Sequence, residues 1–136
     1  MDLKIRNSAE EIKKERLLIE SLGYFKNVFN SISTVALVLN TNRQIIFSSN
    51  DFLEAFQIDA NELLGQRPGE AVGCIHANTS PYGCGNSSSC SVCGSLQAVL
   101  QSINTHEKVT KETRLTIDKN GIKMPLEFSV TSVPIT

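Results

Sequence analysis

Asp118-Lys119-Asn120-Gly121-Ile122-Lys123-Met124-Pro125-Leu126-Glu127-Phe128-Ser129-Val130 is the stretch whose reading decides the fold class. Ile122, Met124, Leu126, Phe128 and Val130 alternate without error against Lys123, Pro125, Glu127, Ser129 and Thr131. A period of two is the mark of a strand with one buried face. Asn120-Gly121 precedes it. That pair is the strongest short hairpin signal, because a tight turn matched to twisted strands needs two residues that accept positive φ. Upstream, Val109, Leu115 and Ile117 share one face of a strand over Lys108 to Ile117, with Lys108, Thr110, Glu112, Arg114 and Thr116 on the other. Pro125 lacks a ladder donor but lies on the polar face, which places it at an edge or a bulge.

A second hairpin is predicted nearer the N-terminus. Thr34 to Asn40 and Gln44 to Ser49 are rich in β-branched residues, and Thr41-Asn42-Arg43 turns between them. Asn50 or Asp51 then caps a short helix near 51–57 that buries Phe52, Leu53 and Phe56. Asp59-Ala60-Asn61-Glu62 starts another near 60–65, and Pro68-Gly69 reads as a break. Leu96, Val99, Leu100 and Ile103 mark a helix over 94–104. Strands at both ends around central helices predict an α+β fold: one antiparallel sheet from 34–49 and 108–131, with the helices on one face.

The N-terminal segment 8–30 reads as one helix. Ser8 and Glu11 fit a capping box, in which each side chain satisfies a free backbone N–H of the other residue. Ile12, Ile19, Leu22, Phe25 and Phe29 recur at spacings of 7, 3, 3 and 4 and form one apolar stripe. The stripe has two readings: it covers the chain's own core, or it pairs with a second copy in a homodimer.

The chain has 136 residues, 40% hydrophobic and 20% charged, which is ordinary globular composition and one domain's worth of core. Thirteen basic against fourteen acidic residues give a net charge of -1. That balance lacks the basic excess or stripe of a nucleic-acid binder. The longest apolar run, Val35 to Leu39, is too short for a membrane segment. The first fifteen residues carry no apolar secretory region, so a cytoplasmic setting with reduced thiols is expected.

Several strings resemble a PAS sensory domain. TVALVLNTNRQIIFSSNDFLEAFQIDANELLGQRPGE looks like the first half of that family, with Asn50 before a Phe52-bearing helix and then Glu62 to Gly65. DKNGIKMPLEFSVTSVPI looks like its fourth strand. The likeness runs from about Phe29 to Thr136. It implies a PAS-like sensory domain over 31–136 with a Cys-rich insert at 72–94, led by a linker or dimerisation helix over 1–30. Four strands are counted where the family's sheets carry five; the fifth is expected beyond Thr136, in a longer protein. The form Gly-Cys-Ile-His-Ala, then Cys-Gly and Cys-x-x-Cys-Gly, is similar to PAS domains attached to bacterial sensor histidine kinases. The resemblance implies sensing and relay to a partner copy and an output domain, with any kinase activity outside this chain.

The chemistry concentrates in 74–93. Cys74-Ile75-His76, Cys84-Gly85, Cys90 and Cys93-Gly94 place four thiols and an imidazole within 20 residues. No Asp, Glu, Lys or Arg occurs from Ala71 to His106. Zinc takes four such ligands, and four thiolates also satisfy an iron–sulfur cluster. Cys90-Ser91-Val92-Cys93-Gly94 has the shape of a metal knuckle, with glycine for a positive φ. Cys84 and Cys74 complete the site, with His76 as competitor for the fourth position. Cys93 precedes a helix whose free N–H groups favour the thiolate. A metal ranks first, a redox-active thiol switch second and inert small hydrophobes third. Covalent haem needs histidine directly after the second cysteine, where Gly94 stands. His106 reads as an exposed helix-terminal residue rather than an axial ligand.

The remaining site candidates carry less information. No phosphate loop, kinase signature or paired carboxylate is present, so the chain is not expected to be an enzyme. Val38, Ile46, Phe56, Leu100, Leu115 and Phe128 are the residues expected around a small-molecule pocket between sheet and helices, or in a filled core.

Overall fold

The computed structural model describes residues 3–31, 34–78, 81–86, 90 and 93–135. Its elements are α1 (Ala9–Glu20), α2 (Phe25–Ser31), β1 (Leu37–Leu39), β2 (Ile45–Ser48), α3 (Asn50–Phe56), α4 (Ala60–Leu63), α5 (Pro68–Val72), a 3-10 turn (Ile75–Asn78), α6 (Gly94–Thr105), β3 (Val109–Lys119) and β4 (Ile122–Ser132). The chain is α+β and divides into two compact units, Lys4–Ala71 and Val72–Thr136, the latter taking Leu3.

In the first unit, the capping box forms as the sequence predicts: Ser8 Oγ accepts from Glu11 N–H at 3.2 Å, and Glu11 accepts from Ser8 N–H at 3.0 Å. The single helix over 8–30 is corrected. Ser21 closes α1 by donating its N–H to Leu17 and Ile19, and Gly23 turns the chain at φ +40° before α2 begins. The break lets both helices reach the core. Ile12 is buried with Val38, Ile46 and Phe47, and Ile19, Phe25 and Phe29 pack against them. Phe25 and Phe29 stack at 5.4 Å, and each meets Phe47 edge-on. Of the apolar stripe, Leu22 alone stays exposed, at 50%.

The β1–β2 hairpin carries an irregular register between Val38 and Leu39, so Ile46 is the extra residue and Ile45, Ile46 and Phe47 are all buried. Ser49, rather than Asn50 or Asp51, caps α3 by accepting from Phe52 N–H. Asp59 caps α4 as read. Pro68 does not merely break the chain: it opens α5, where its missing N–H costs nothing. Arg67 just before it is 0% exposed, with Nε donating to Asn42 O at 3.1 Å and Nη2 to Ile5 O at 2.7 Å.

In the second unit, β3 and β4 pair over their full length, from Val109↔Ser132 to Lys119↔Ile122. Asn120 and Gly121 adopt φ +55° and +82°, as the Asn-Gly pair predicts. Val109, Thr113 and Ile117 face inward, and α6 packs on both strands, burying Gly94, Ala98 and Ser102. Ser102 and Ser132 hydroxyls meet at 2.7 Å.

The expected single sheet is not formed: the two hairpins are separate two-stranded sheets. Non-strand backbone occupies an edge of each. Ile45 exchanges bonds with the 65–66 segment, donating to Gln66 O at 2.7 Å and accepting from Gly65 N–H at 3.0 Å. At β3, Asp118 N–H donates to Gly73 O at 2.8 Å, and Cys74 bridges Ile117.

Candidate thiol centre

Cys74 is placed by the edge of β3. Gly73 takes φ +80°, and a Cβ there would stand 2.9 Å from Asp118 O, so this close approach needs glycine. The chain then turns tightly, with Ala77 N–H donating to Cys74 O at 3.0 Å. In that turn the backbone N–H groups of His76 and Ala77 point at the Cys74 sulfur. Burial pushes the Cys74 thiol up, the two N–H groups oppose this, and negative charge on Cys93 or Cys90 pushes it further up.

Cys90 and Cys93 form a second turn of the same kind: Cys93 N–H donates to Cys90 O at 3.0 Å. Cys90 is buried and Cys93 half-buried. Ser91 and Val92 lie outside the described residues. Cys93 is the N-cap of α6 in extended conformation, and its side chain makes no capping bond. Its Sγ lies 3.9 Å from Thr113 Oγ1, which also accepts from Ser95 N–H at 3.1 Å and Ser95 Oγ at 3.2 Å. The glycine after Cys93 serves a different need from the one its spacing suggests. Gly94 is absent from the positive-φ positions, and a Cβ on it would fall 2.0 Å from Glu112 O. It lets the helix start touch the β3 backbone.

Cys84 sits in a turn flanked by Gly83 and Gly85 at φ +81° and +92°. Asn86 Nδ2 fixes this turn, donating to the carbonyls of Leu3 at 3.0 Å, Tyr82 at 3.2 Å and Cys84 at 3.3 Å. All four cysteines are free thiols. Among the described residues, no three His, Cys, Asp or Glu side chains converge as a metal-holding group. The donor chemistry fits a soft metal, and Cys74, Cys90 and Cys93 lie within electrostatic reach of one another.

Thr113 and Asn86 are the positioning residues that sequence reasoning missed. Thr113 carries a signal: it lies four residues after Val109, on the inward strand face, where a threonine needs a partner. Asn86 carries none. His106 ends α6 as an exposed left-handed cap at φ +57°, in keeping with its helix-terminal reading. The six pocket candidates divide between units: Val38 and Ile46 are buried and Phe56 half-buried in the first, while Leu100 and Leu115 are half-buried and Phe128 exposed in the second. Among the described residues, no helix is long and apolar enough to cross a membrane. No family model, curated protein or solved structure matches the chain.

Proposed function

We propose that the chain is a PAS-type sensory module of the cytoplasm whose cysteines form one metal-binding thiol centre. The observation that carries the reading is the pair of matched turns, Cys74–Ala77 and Cys90–Cys93, each led by a cysteine and closed by a 3.0 Å backbone bond. In the first turn the N–H groups of His76 and Ala77 favour the Cys74 thiolate, against the burial that raises its thiol. The element order, a hairpin, short helices, a longer helix and a second hairpin, supports the PAS part of the reading. Homodimerisation and relay to an output domain belong to the same proposal, with Leu22 the stripe residue still exposed for it.

Cys84, Cys90 and Cys93 would hold the metal with Cys74 or His76. Zinc would supply a cross-link, and an iron–sulfur cluster would supply electron transfer. A second reading, a thiol–disulfide switch, rests on the four free cysteines. In it a thiol pair gives two protons and two electrons to a peroxide, which leaves as water and an alcohol. Anaerobic purification with metal analysis and a visible spectrum separates the readings. Iron with thiolate charge-transfer bands, or one zinc per colourless chain, is expected. Metal-free protein whose thiols disappear in pairs on peroxide addition would replace the metal centre with the switch.

A further inference from the structure

A cleft in the first unit remains outside the thiol reading. It measures about 160 Å³ and opens between α1, α2, β2, α3 and α4. Phe47, Leu53 and Leu63 are among its apolar lining, and the polar Ser48 and Asn50 line it too. Arg16, Lys26 and Asn30 also line it, and no lining residue is acidic. Arg16 gives one edge of its guanidinium to Glu20, Nε to Oε1 at 3.1 Å. Lys26 is exposed and has no carboxylate partner among the described residues.

We propose that this cleft binds a small monocarboxylate with an apolar body about one ring in size. Volume sets the size. An apolar cavity of about 150 Å³ accommodates benzene. Drug-sized ligands need roughly 300 Å³ or more. Charge sets the class: a carboxylate meets Arg16 and Lys26 in charge-assisted bonds, which are about twice as strong as neutral ones. The apolar part of the lining distinguishes the ligand from a bare anion, since inorganic phosphate would leave it uncovered. None of these residues is a cysteine, so the proposal stands apart from the thiol centre.

The test is a methyl-resolved NMR titration of the full chain with sodium benzoate, with benzamide as neutral isostere and inorganic phosphate as bare anion. Benzoate is expected to shift the Leu53 and Leu63 methyls saturably, and benzamide to bind about tenfold more weakly, as loss of roughly one charge-assisted bond implies. Lys26→Gln, on an exposed side chain, is expected to weaken benzoate about fivefold or more and leave benzamide unchanged. Phosphate is expected to leave the methyls still. No saturable methyl shift up to about 20 mM benzoate, some 2 kcal/mol of standard binding energy, would overturn the proposal. Equal binding of benzamide, phosphate binding as tight as benzoate, or an unchanged benzoate affinity in both Lys26→Gln and Arg16→Gln would do so too.

Discussion

Gly94 and Cys74 show how much single residues decide in the second unit. The Gly94 Cα lies so near β3 that an added Cβ would meet Glu112 O at 2.0 Å and Thr113 Cα at 3.2 Å. Both are backbone or backbone-bound atoms, so the helix start itself would have to move. Gly94→Ala is expected to lose about 3 kcal/mol of stability in urea unfolding, at the upper end of overpacking costs. A loss below about 0.5 kcal/mol would show that α6 does not approach the strand this closely. Cys74 makes a pH prediction. Its thiol is raised in the folded protein, chiefly by burial and then by the neighbouring thiols, so the folded state holds that proton longer than the unfolded one. The stability this confers on metal-free protein is complete below the unfolded thiol value, about 8.5, and declines as pH rises through the folded value. Cys74→Ser should flatten that decline. Equal slopes in the two proteins above pH ~8.5 would remove burial of Cys74 from the account.

At the scale of elements, what local pattern encodes was legible and what depends on distant backbone was not. The Asn120-Gly121 hairpin follows from two residues with positive φ and an unbroken alternation. The Ser8 capping box and the start of α6 at Gly94 follow from short-range chemistry of the same kind. The α1–α2 break is not legible, because the apolar spacing runs unbroken through Gly23, although Gly23 turns the chain. The single sheet was misread because strand pairing is long-range: nothing near Ile45 or Asp118 announces that residues 65–66 and 73 will take their bonds. The α1–α2 break yields a direct comparison. Ile19 packs on the first core and Leu22 does not. Ile19→Glu is expected to cost about 2–3 kcal/mol, the penalty for placing a charge against apolar side chains. Leu22→Glu should stay within about 0.5 kcal/mol. Equal losses in thermal unfolding would mean the stripe does not turn at Gly23 as described.

For the whole molecule, the candidate site was legible as chemistry but not as geometry. Four cysteines in a segment without charge are plain in the sequence, and so is the Cys90–Cys93 spacing. The second turn at Cys74–Ala77, with backbone N–H groups directed at sulfur, is not. Nor is the support from Thr113 and Asn86, which comes from a strand twenty residues after Cys93 in one case and from carbonyls as far away as Leu3 in the other. On the proposed function, these parts act as one centre. Metal content per chain in single Cys→Ser variants, with His76→Ala beside them, measures that directly. Loss of metal is expected in Cys84→Ser, Cys90→Ser and Cys93→Ser, and in one of Cys74→Ser and His76→Ala, which assigns the fourth ligand. Undiminished metal in both Cys90→Ser and Cys93→Ser would contradict it.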